Sequence, residues 1–177
     1  MTRRRRIGLD ARMVEATQTG LGRYASALAA HLPPLAPASE VVIILRPGVD
    51  ERLALERRQP NVEIARIPGW LDTPGNLLAA RRIERLGLDL YHSLHHFLPA
   101  GLRCPRVVFT LHDLIWVEHP ELTFDARLAW LRGRLNGVYG RATMRHALGR
   151  ADHVVAISHH TRHRAEARYR RVRGRIT

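Results

Sequence analysis

The sequence contains no lysine: all 29 basic residues of the 177-residue chain are arginine, against 16 acidic residues. The net charge of +13 attracts phosphate polymers non-specifically through counterion release. No zinc-finger spacing, RNA-binding aromatic signature or helix-turn-helix pattern accompanies this charge, which argues against specific recognition of nucleic acid. Arginine without lysine, alongside abundant alanine and leucine, is typical of G+C-rich codon usage as much as of a binding surface.

Cysteine and long apolar runs are also scarce. Cys104 is the single cysteine, so no intrachain disulfide forms and nothing indicates an oxidising compartment. No apolar run approaches the roughly 18–20 residues of a membrane-spanning helix. The basic start is not followed by the apolar segment of a secretory signal. We therefore expect a cytoplasmic protein.

The arginines concentrate at the two ends, in residues 3–6 and between Arg162 and Arg175. We interpret residues 1–6 as a basic tail. No internal repeat or linker divides the remainder, and the length suits one compact domain, so we predict a single domain over residues 1–177.

Short β-like runs alternate with helical segments along the chain. We predict strands at 7–9, 41–45, 62–67, 88–91, 107–111 and 154–157. Apolar spacing predicts a first helix that Pro33-Pro34 stops, a second at 77–86, and a long third one. The apolar stripe of the long helix consists of Leu128, Leu131, Leu135, Val138 and Ala142. This alternation predicts an α/β fold: a Rossmann-like parallel sheet with helices on both faces, which binds ligands beyond the carboxyl ends of its strands.

A glycine-containing segment, Thr19-Gly20-Leu21-Gly22-Arg23-Tyr24, lies between the first strand and the first helix. Glycines there allow close approach of a ligand and present backbone amides at a helix N-terminus, which favours phosphate. The alternative is an ordinary glycine turn and helix start, because the full dinucleotide-binding pattern is missing.

Three histidines fall within Tyr91-His92-Ser93-Leu94-His95-His96-Phe97, after a predicted strand. Imidazoles in this number are able to ligate a metal. No cysteine or carboxylate accompanies them, so the pattern favours the polar lining of a cleft over a metal site.

Another predicted strand ends in His112-Asp113, where α/β proteins place working residues. The alternative is a histidine bonded to Asp113 or to a loop carbonyl. The last predicted strand ends at Ser158, whose simplest role is to cap the following helix.

Taken in order, the segments Thr-Gly-Leu-Gly-Arg-Tyr, His-Asp-Leu and Ala-Asp-His-Val-Val-Ala-Ile-Ser resemble the N-terminal domain of family 4 retaining glycosyltransferases, most closely a mannosyltransferase-like branch that builds polysaccharides. The resemblance extends from Ile7 to Thr177. It implies one half of a GT-B enzyme that transfers a sugar from a nucleotide-sugar donor, without a metal or other cofactor.

The resemblance also implies roles for individual residues. Gly20, Gly22 and Arg23 would bind the donor diphosphate, and Tyr24 would pack. His112 would contact the donor sugar and support the transition state electrostatically. The acceptor side would be lined by Tyr91, His95, His96 and Asp113.

The family's C-terminal, donor-binding domain is not present in this sequence, since its Arg-x-x-x-x-Lys and Glu-x7-Glu motifs are missing. We therefore expect the isolated domain to be inactive, with the second domain supplied in cis or by a partner chain. The acceptor would be a glycan or a lipid-linked molecule, and the basic ends would contact anionic membrane. The alternative is a stand-alone Rossmann-like module that binds a nucleotide or glycan without catalysis.

Overall fold

The computed structural model describes residues 3–16, 19–54, 59–71, 74–123 and 129–177. Its six strands are β1 (Arg6–Asp10), β2 (Glu40–Leu45), β3 (Val62–Arg66), β4 (Leu90–Ser93), β5 (Arg106–Leu111) and β6 (His153–Ala156). Its α-helices are α1 (Gly20–Leu35), α2 (Ala80–Glu84), α3 (Ile115–Glu118), α4 (Ala129–Arg150) and α5 (His159–Arg168).

The strands form one sheet in the order β3-β2-β1-β4-β5-β6. Parallel pairing joins β1 to β2 and β4, β2 to β3, and β5 to β6. Parallel neighbours need crossover connections, which the intervening helical segments provide. The predicted fold class, a Rossmann-like α/β fold with a parallel sheet and helices, is confirmed.

The chain divides into two compact units. The first comprises Met1–Leu94 and Pro99–Val107, and the second comprises His95–Leu98 and Val108–Thr177. The core of the first unit contains buried Leu9, Ile43 and Leu45 from β1 and β2, packed with Ala25 and Ala29 of α1. Small residues on the inner face of α1 let that helix pack closely on the strands.

Within β1, Gly8 leaves space that the side chain of Leu88 fills. A Cβ atom at position 8 would lie 2.4 Å from Cδ1 of Leu88, far inside contact distance. A side chain at position 8 would therefore force the end of the Leu88 side chain to shift.

The prediction that Pro33-Pro34 stops the first helix was wrong, since α1 continues to Leu35 with both prolines inside it. The ring of Pro34 removes the amide that would bond the carbonyl of Ala30. That carbonyl instead accepts a hydrogen bond of 3.0 Å from Nε2 of Gln59. The carbonyl of Pro33 likewise accepts one from Nδ2 of Asn61, so side chains complete the last turn.

The predicted helix at 77–86 is shorter than expected, because a 3-10 turn, Pro74–Leu78, precedes the five-residue α2. The long predicted helix is confirmed as α4, but its stripe was wrong in its described part. Val138 is 61% exposed and Ala142 is exposed, whereas Met144 and Ala147 are fully buried. Leu128, and the side chains of Leu131 and Leu135, lie outside the described residues.

Arg6 belongs to β1 and not to a tail. Its guanidinium donates to Glu40 at 2.6 Å and to Glu63 at 2.7 Å, which fixes it across the first three strands. Arg3 also pairs with Asp89. Residues 1 and 2 of the predicted tail lie outside the described residues. In the part of the chain that the structure describes, no helix has the length and apolarity to cross a membrane.

Candidate active site

His112 lies directly after the carboxyl end of β5 and is half-buried, while the next residue, Asp113, is exposed. The Oδ1 atom of Asp113 accepts a hydrogen bond of 3.0 Å from the backbone amide of Ile115, the first residue of α3. This bond fixes the turn that carries His112 away from the strand.

Three of the histidines singled out in the sequence meet in the second unit. The ring centroid of His95 lies 5.8 Å from that of His112, with the planes 27° apart, and 4.3 Å from that of His96. The segment His95–Leu98 therefore lies beside the end of β5.

Aromatic rings from two helices support these histidines. Phe97 lies parallel to His95, with centroids 4.8 Å apart. It meets Trp116 of α3 edge to face at 5.2 Å and Tyr139 of α4 at 5.8 Å. Edge-to-face and offset arrangements are the favourable ones for such pairs. The ring cluster, defined as His95, His96, Phe97, His112, Trp116 and Tyr139, holds the histidines on a rigid base.

Glycine brings the helices of the ring cluster together. A Cβ atom at Gly140 of α4 would lie 2.3 Å from the backbone oxygen of Trp116. Only glycine permits this approach of α4 to α3. The position of Trp116 against Phe97 depends on it.

His95 and His96 are buried, with 6% and 1% of their surface exposed. Among the described residues, no hydrogen-bond partner faces Nδ1 of His95 or either ring nitrogen of His96. Burial, followed by the neighbouring histidine His112, lowers the pKa of His96 to about 3. Burial also lowers the pKa of His95 well below its usual value. Both rings are therefore neutral at pH 7.

The N-terminus of α5 fixes the backbone of His112. The hydroxyl of Thr161 donates to the carbonyl of His112 at 3.2 Å. Oγ of Ser158 accepts from the amide of Thr161 at 3.1 Å, which confirms the predicted helix cap. Thr161 is the residue that sequence reasoning missed here, because only the fold brings it to position 112.

A cavity of about 360 Å³ opens beside this turn in the second unit. Its lining includes Asp113, Glu118, His160 and Arg164, and Arg164 forms an ion pair of 2.8 Å with Glu118. Carboxylates, imidazoles and hydroxyls are the groups that hydrogen-bond sugar hydroxyls. Of the predicted acceptor residues, Asp113 faces this cavity.

The predicted donor-binding residues lie in the first unit, at the start of α1. Gly20 and Gly22 belong to the first helical turn, and Thr19 caps it by accepting from the amide of Gly22 at 3.0 Å. A Cβ atom would meet nothing within 4 Å at Gly20 but would lie 3.3 Å from Thr19 Oγ1 at Gly22. Arg23 is exposed, and Tyr24 packs on the core as expected.

Tyr91, predicted to line the acceptor side, has no exposed surface and lies inside the first unit. Its hydroxyl donates to Oδ2 of Asp10 at 2.5 Å. Asp10 also accepts from Nε and Nη2 of Arg12, at 2.8 and 2.7 Å, and Arg12 donates to Oδ1 of Asn76 at 2.7 Å. All four side chains are buried. Tyr91 therefore makes structural contacts inside the first unit, and its buried position does not support a role in binding the acceptor.

The sequence analysis missed this buried network of Asp10, Arg12, Asn76 and Tyr91. The available signal was Asp10 itself, a carboxylate at the carboxyl end of a buried strand. Its partner Tyr91 is 81 positions further along the chain. Asn76, the partner of Arg12, is 64 positions from that arginine, and no local pattern joins these residues. Among the residues that the structure describes, no three His, Cys, Asp or Glu side chains form a metal-binding group.

The parallel sheet and its helices define a Rossmann-like α/β protein, with polar residues after the carboxyl end of β5. Residues 19–177 match the family model described as Glycosyltransferase Family 4. The chain belongs to this family, and the family predicted from its motifs is confirmed. The mannosyltransferase-like branch stays a prediction.

Other comparisons add little. The solved Pseudomonas aeruginosa RhlG/NADP active-site complex is 17% identical, with 91% of this chain and 76% of that chain covered, at a TM-score of 0.36. A similarity at this level carries no inference. No curated protein matches the chain significantly in sequence.

Proposed function

We propose that this chain is the acceptor-side domain of a retaining glycosyltransferase, which moves a hexose, by resemblance mannose, from a nucleotide-sugar donor to a glycan or lipid-linked acceptor. The observation that supports this most is the match of residues 19–177 to glycosyltransferase family 4, with half-buried His112 at the carboxyl end of β5.

His112 would stabilise the charge that develops in the transition state and would not act as a base. Cleavage of a glycosidic bond passes through an oxocarbenium-like transition state, in which the sugar ring becomes positive. Preorganised dipoles that face such a charge lower the barrier. His95 and His96 are buried and neutral, so they add no positive charge that would oppose it. The Thr161 hydroxyl holds the His112 backbone in place.

The donor diphosphate would meet the N-terminus of α1, where unpaired amides and the helix dipole favour phosphate. The amide of Gly22 is already taken by Thr19, so Thr19 must rotate before that amide reaches a phosphate. Gly20 has open space around it. Most donor contacts would come from a second domain, in the same chain or from a partner, and the isolated 177 residues would be inactive.

The biological setting belongs to the same proposal. Polysaccharide synthesis in the cytoplasm, with contact of the basic surface to anionic lipid at the inner face of the plasma membrane, fits the chain's excess of arginine. Vesicles of phosphatidylglycerol that fail to bind the protein at low salt would remove the membrane part alone.

The direct test is sugar transfer by the complete natural gene product, supplied with labelled nucleotide sugars and a membrane extract. His112→Ala should lower kcat by about 100-fold or more, the usual cost of losing a preorganised electrostatic contact. His31→Ala, an exposed histidine on α1, is the matched control and should leave transfer unchanged.

The outcomes separate the alternatives. Full transfer by His112→Ala removes the role of that residue. If the gene product binds nucleotide or glycan but transfers no sugar, the protein is a binding module. Gly20→Ala adds a test of the donor contact: KM for the donor should rise while the melting temperature stays unchanged, since the free protein has room for the methyl group.

A further inference from the structure

A second cavity, of about 640 Å³, lies in the second unit. It is formed by the C-terminal half of α4, the end of α5 and the 3-10 turn Arg170–Val172. Among the described residues its lining contains no carboxylate and five arginines, Arg141, Arg145, Arg168, Arg170 and Arg171, together with Leu148 and Tyr169. We call it the arginine cavity.

The five guanidinium groups are not neutralised by the described part of the protein. Two carboxylates of the adjoining segments have other partners: Glu166 of α5 pairs with Arg162 at 3.1 Å, and Asp152, just before β6, pairs with Arg150 at 3.9 Å. Among the described residues, no ion pair involves an arginine of the cavity. Five like charges around one space repel one another, and a bound anion relieves that repulsion.

Capping of the helix C-termini does not account for these arginines. Arginine near a helix C-terminus often bonds its last carbonyls. In this unit Arg175 has that role, since its Nη1 donates to the carbonyl of Ala151 at 2.7 Å and its Nε to that of Arg171 at 2.9 Å. The arginines of the cavity are exposed and available to a ligand.

The arginine cavity is separate from the turn that carries His112. Helix α4 ends just before β6 begins, so the cavity lies at the amino-terminal side of β6. His112 follows the carboxyl end of β5, which runs parallel to β6. The two sites therefore lie at opposite ends of the strand pair β5 and β6, and the arginine cavity is not part of the proposed transfer site.

We propose that the arginine cavity binds a ligand carrying two linked phosphates, either free in solution or on a lipid headgroup. A planar guanidinium group donates two parallel hydrogen bonds to a pair of phosphate oxygens. Five guanidinium groups offer more donors than the oxygens of one phosphate can accept. Tyr169 and Leu148 add apolar atoms to the lining of the cavity. A nucleic acid is less well matched, because single strands are held by several aromatic rings and the cavity offers one.

The test measures binding of sodium diphosphate by calorimetry to the 177-residue protein and to two double variants. Arg145→Gln/Arg170→Gln removes two charges from the cavity and should weaken binding at least about tenfold, because charge-assisted hydrogen bonds are lost. Arg81→Gln/Arg82→Gln removes the same charge from exposed positions on α2 and should change the Kd less than about twofold, as expected for distant exposed charges. Equal melting temperatures establish that the variants fold.

A second arm uses vesicles of phosphatidylcholine with and without a diphosphate-bearing lipid. Vesicle binding that is lost only in the cavity variant assigns the phosphates to a lipid, and binding of free diphosphate alone assigns a soluble ligand. Equal weakening in both double variants would overturn the proposal, because net charge would then explain the affinity. The proposal would also be overturned if the protein bound neither sodium diphosphate nor the diphosphate-bearing vesicles. Tighter binding of a single-stranded oligonucleotide that depended on the cavity would overturn it as well.

Discussion

The hydroxyl of Tyr91 donates a 2.5 Å hydrogen bond to Oδ2 of Asp10, and neither side chain has exposed surface. Burial, and then the charge of Asp10, raise the pKa of Tyr91 well above its usual value. Burial opposes the charge on Arg12, but the Asp10 carboxylate more than offsets it, so the pKa of Arg12 also lies above its ordinary value. The network joins Asp10, the last residue of β1, to Tyr91, the second residue of β4, through paired and hydrogen-bonded groups.

Removing one partner of the buried ion pair should be costly. Asp10→Ala leaves Arg12 charged and unpaired inside the first unit, and we expect the free energy of unfolding to fall by about 3–5 kcal/mol. Tyr91→Phe should cost about 1.5–3 kcal/mol, the range for a hydrogen bond to a charged group. Urea denaturation measures both. Arg3→Gln, which breaks the exposed pair with Asp89, is the control and should cost at most about 1 kcal/mol.

Two glycines of α4 should respond in opposite directions to alanine. Gly140→Ala places a methyl group against the backbone of Trp116, and we expect a loss of about 1–3 kcal/mol from overpacking. Gly149→Ala meets only a side-chain atom of Arg171 at 4.0 Å, so it should stabilise the protein by about 0.5–1 kcal/mol through helix propensity. Thermal unfolding measures the stability of the two variants. Equal changes in stability would show that α4 does not need its close approach to the backbone of Trp116.

The buried histidines should make the protein sensitive to mild acid. His96 has a pKa of about 3 when folded, against an ordinary value near 6.5. Between these values the unfolded chain binds more protons than the folded one, so stability is complete above pH 6.5 and falls as the pH drops. Urea midpoints from pH 7.5 to 4.5 should therefore decline.

His96→Leu removes one of the groups that cause this decline, so its midpoints should fall less steeply with acid. The comparison of slopes does not depend on the variant's absolute stability. His31→Gln, on the exposed face of α1, should keep the wild-type slope. Identical slopes for all three proteins would rule out His96 as a source of acid sensitivity.

The cap of α5 should matter for the turn at His112. Ser158→Ala deletes the acceptor of the Thr161 amide and should cost about 1 kcal/mol, while Ser158→Thr should restore most of it. If the cap orders the proposed transfer site, kcat of the complete enzyme should fall in Ser158→Ala and be largely restored in Ser158→Thr, as the stability is. Loss of stability without any change in kcat would separate the cap from catalysis.

The strands were predictable because their signal is local. The apolar run at 41–45 lies in β2, five of whose six residues are buried. The error at Pro33-Pro34 had a different cause, since the carbonyl freed at Ala30 finds its partner in Gln59, which sequence periodicity does not reveal. The stripe of α4 failed because Gly140 and Thr143, not the larger Val138, face the interior.

The candidate site was predictable in part. His95, His96 and His112 meet because each follows a strand, and the ends of parallel strands share an edge. Tyr91 belongs to the preceding strand itself, where alternate side chains enter the core, and this parity placed it against Asp10. The basic stretch seen in the sequence contains three arginines of the arginine cavity, whereas Arg141 and Arg145 come from α4. The sequence does not show that these arginines meet, or which arginines have carboxylate partners.

The fit of Leu88 into the space above Gly8 has a consequence for the evolutionary record of this fold. A larger residue at position 8 is accommodated most easily when the side chain at position 88 is smaller, because the two compete for the same space. Related sequences should therefore show coordinated substitution: a larger residue at position 8 accompanied by alanine or another small residue at position 88. The pair would then leave a covariation signal that neither position carries alone.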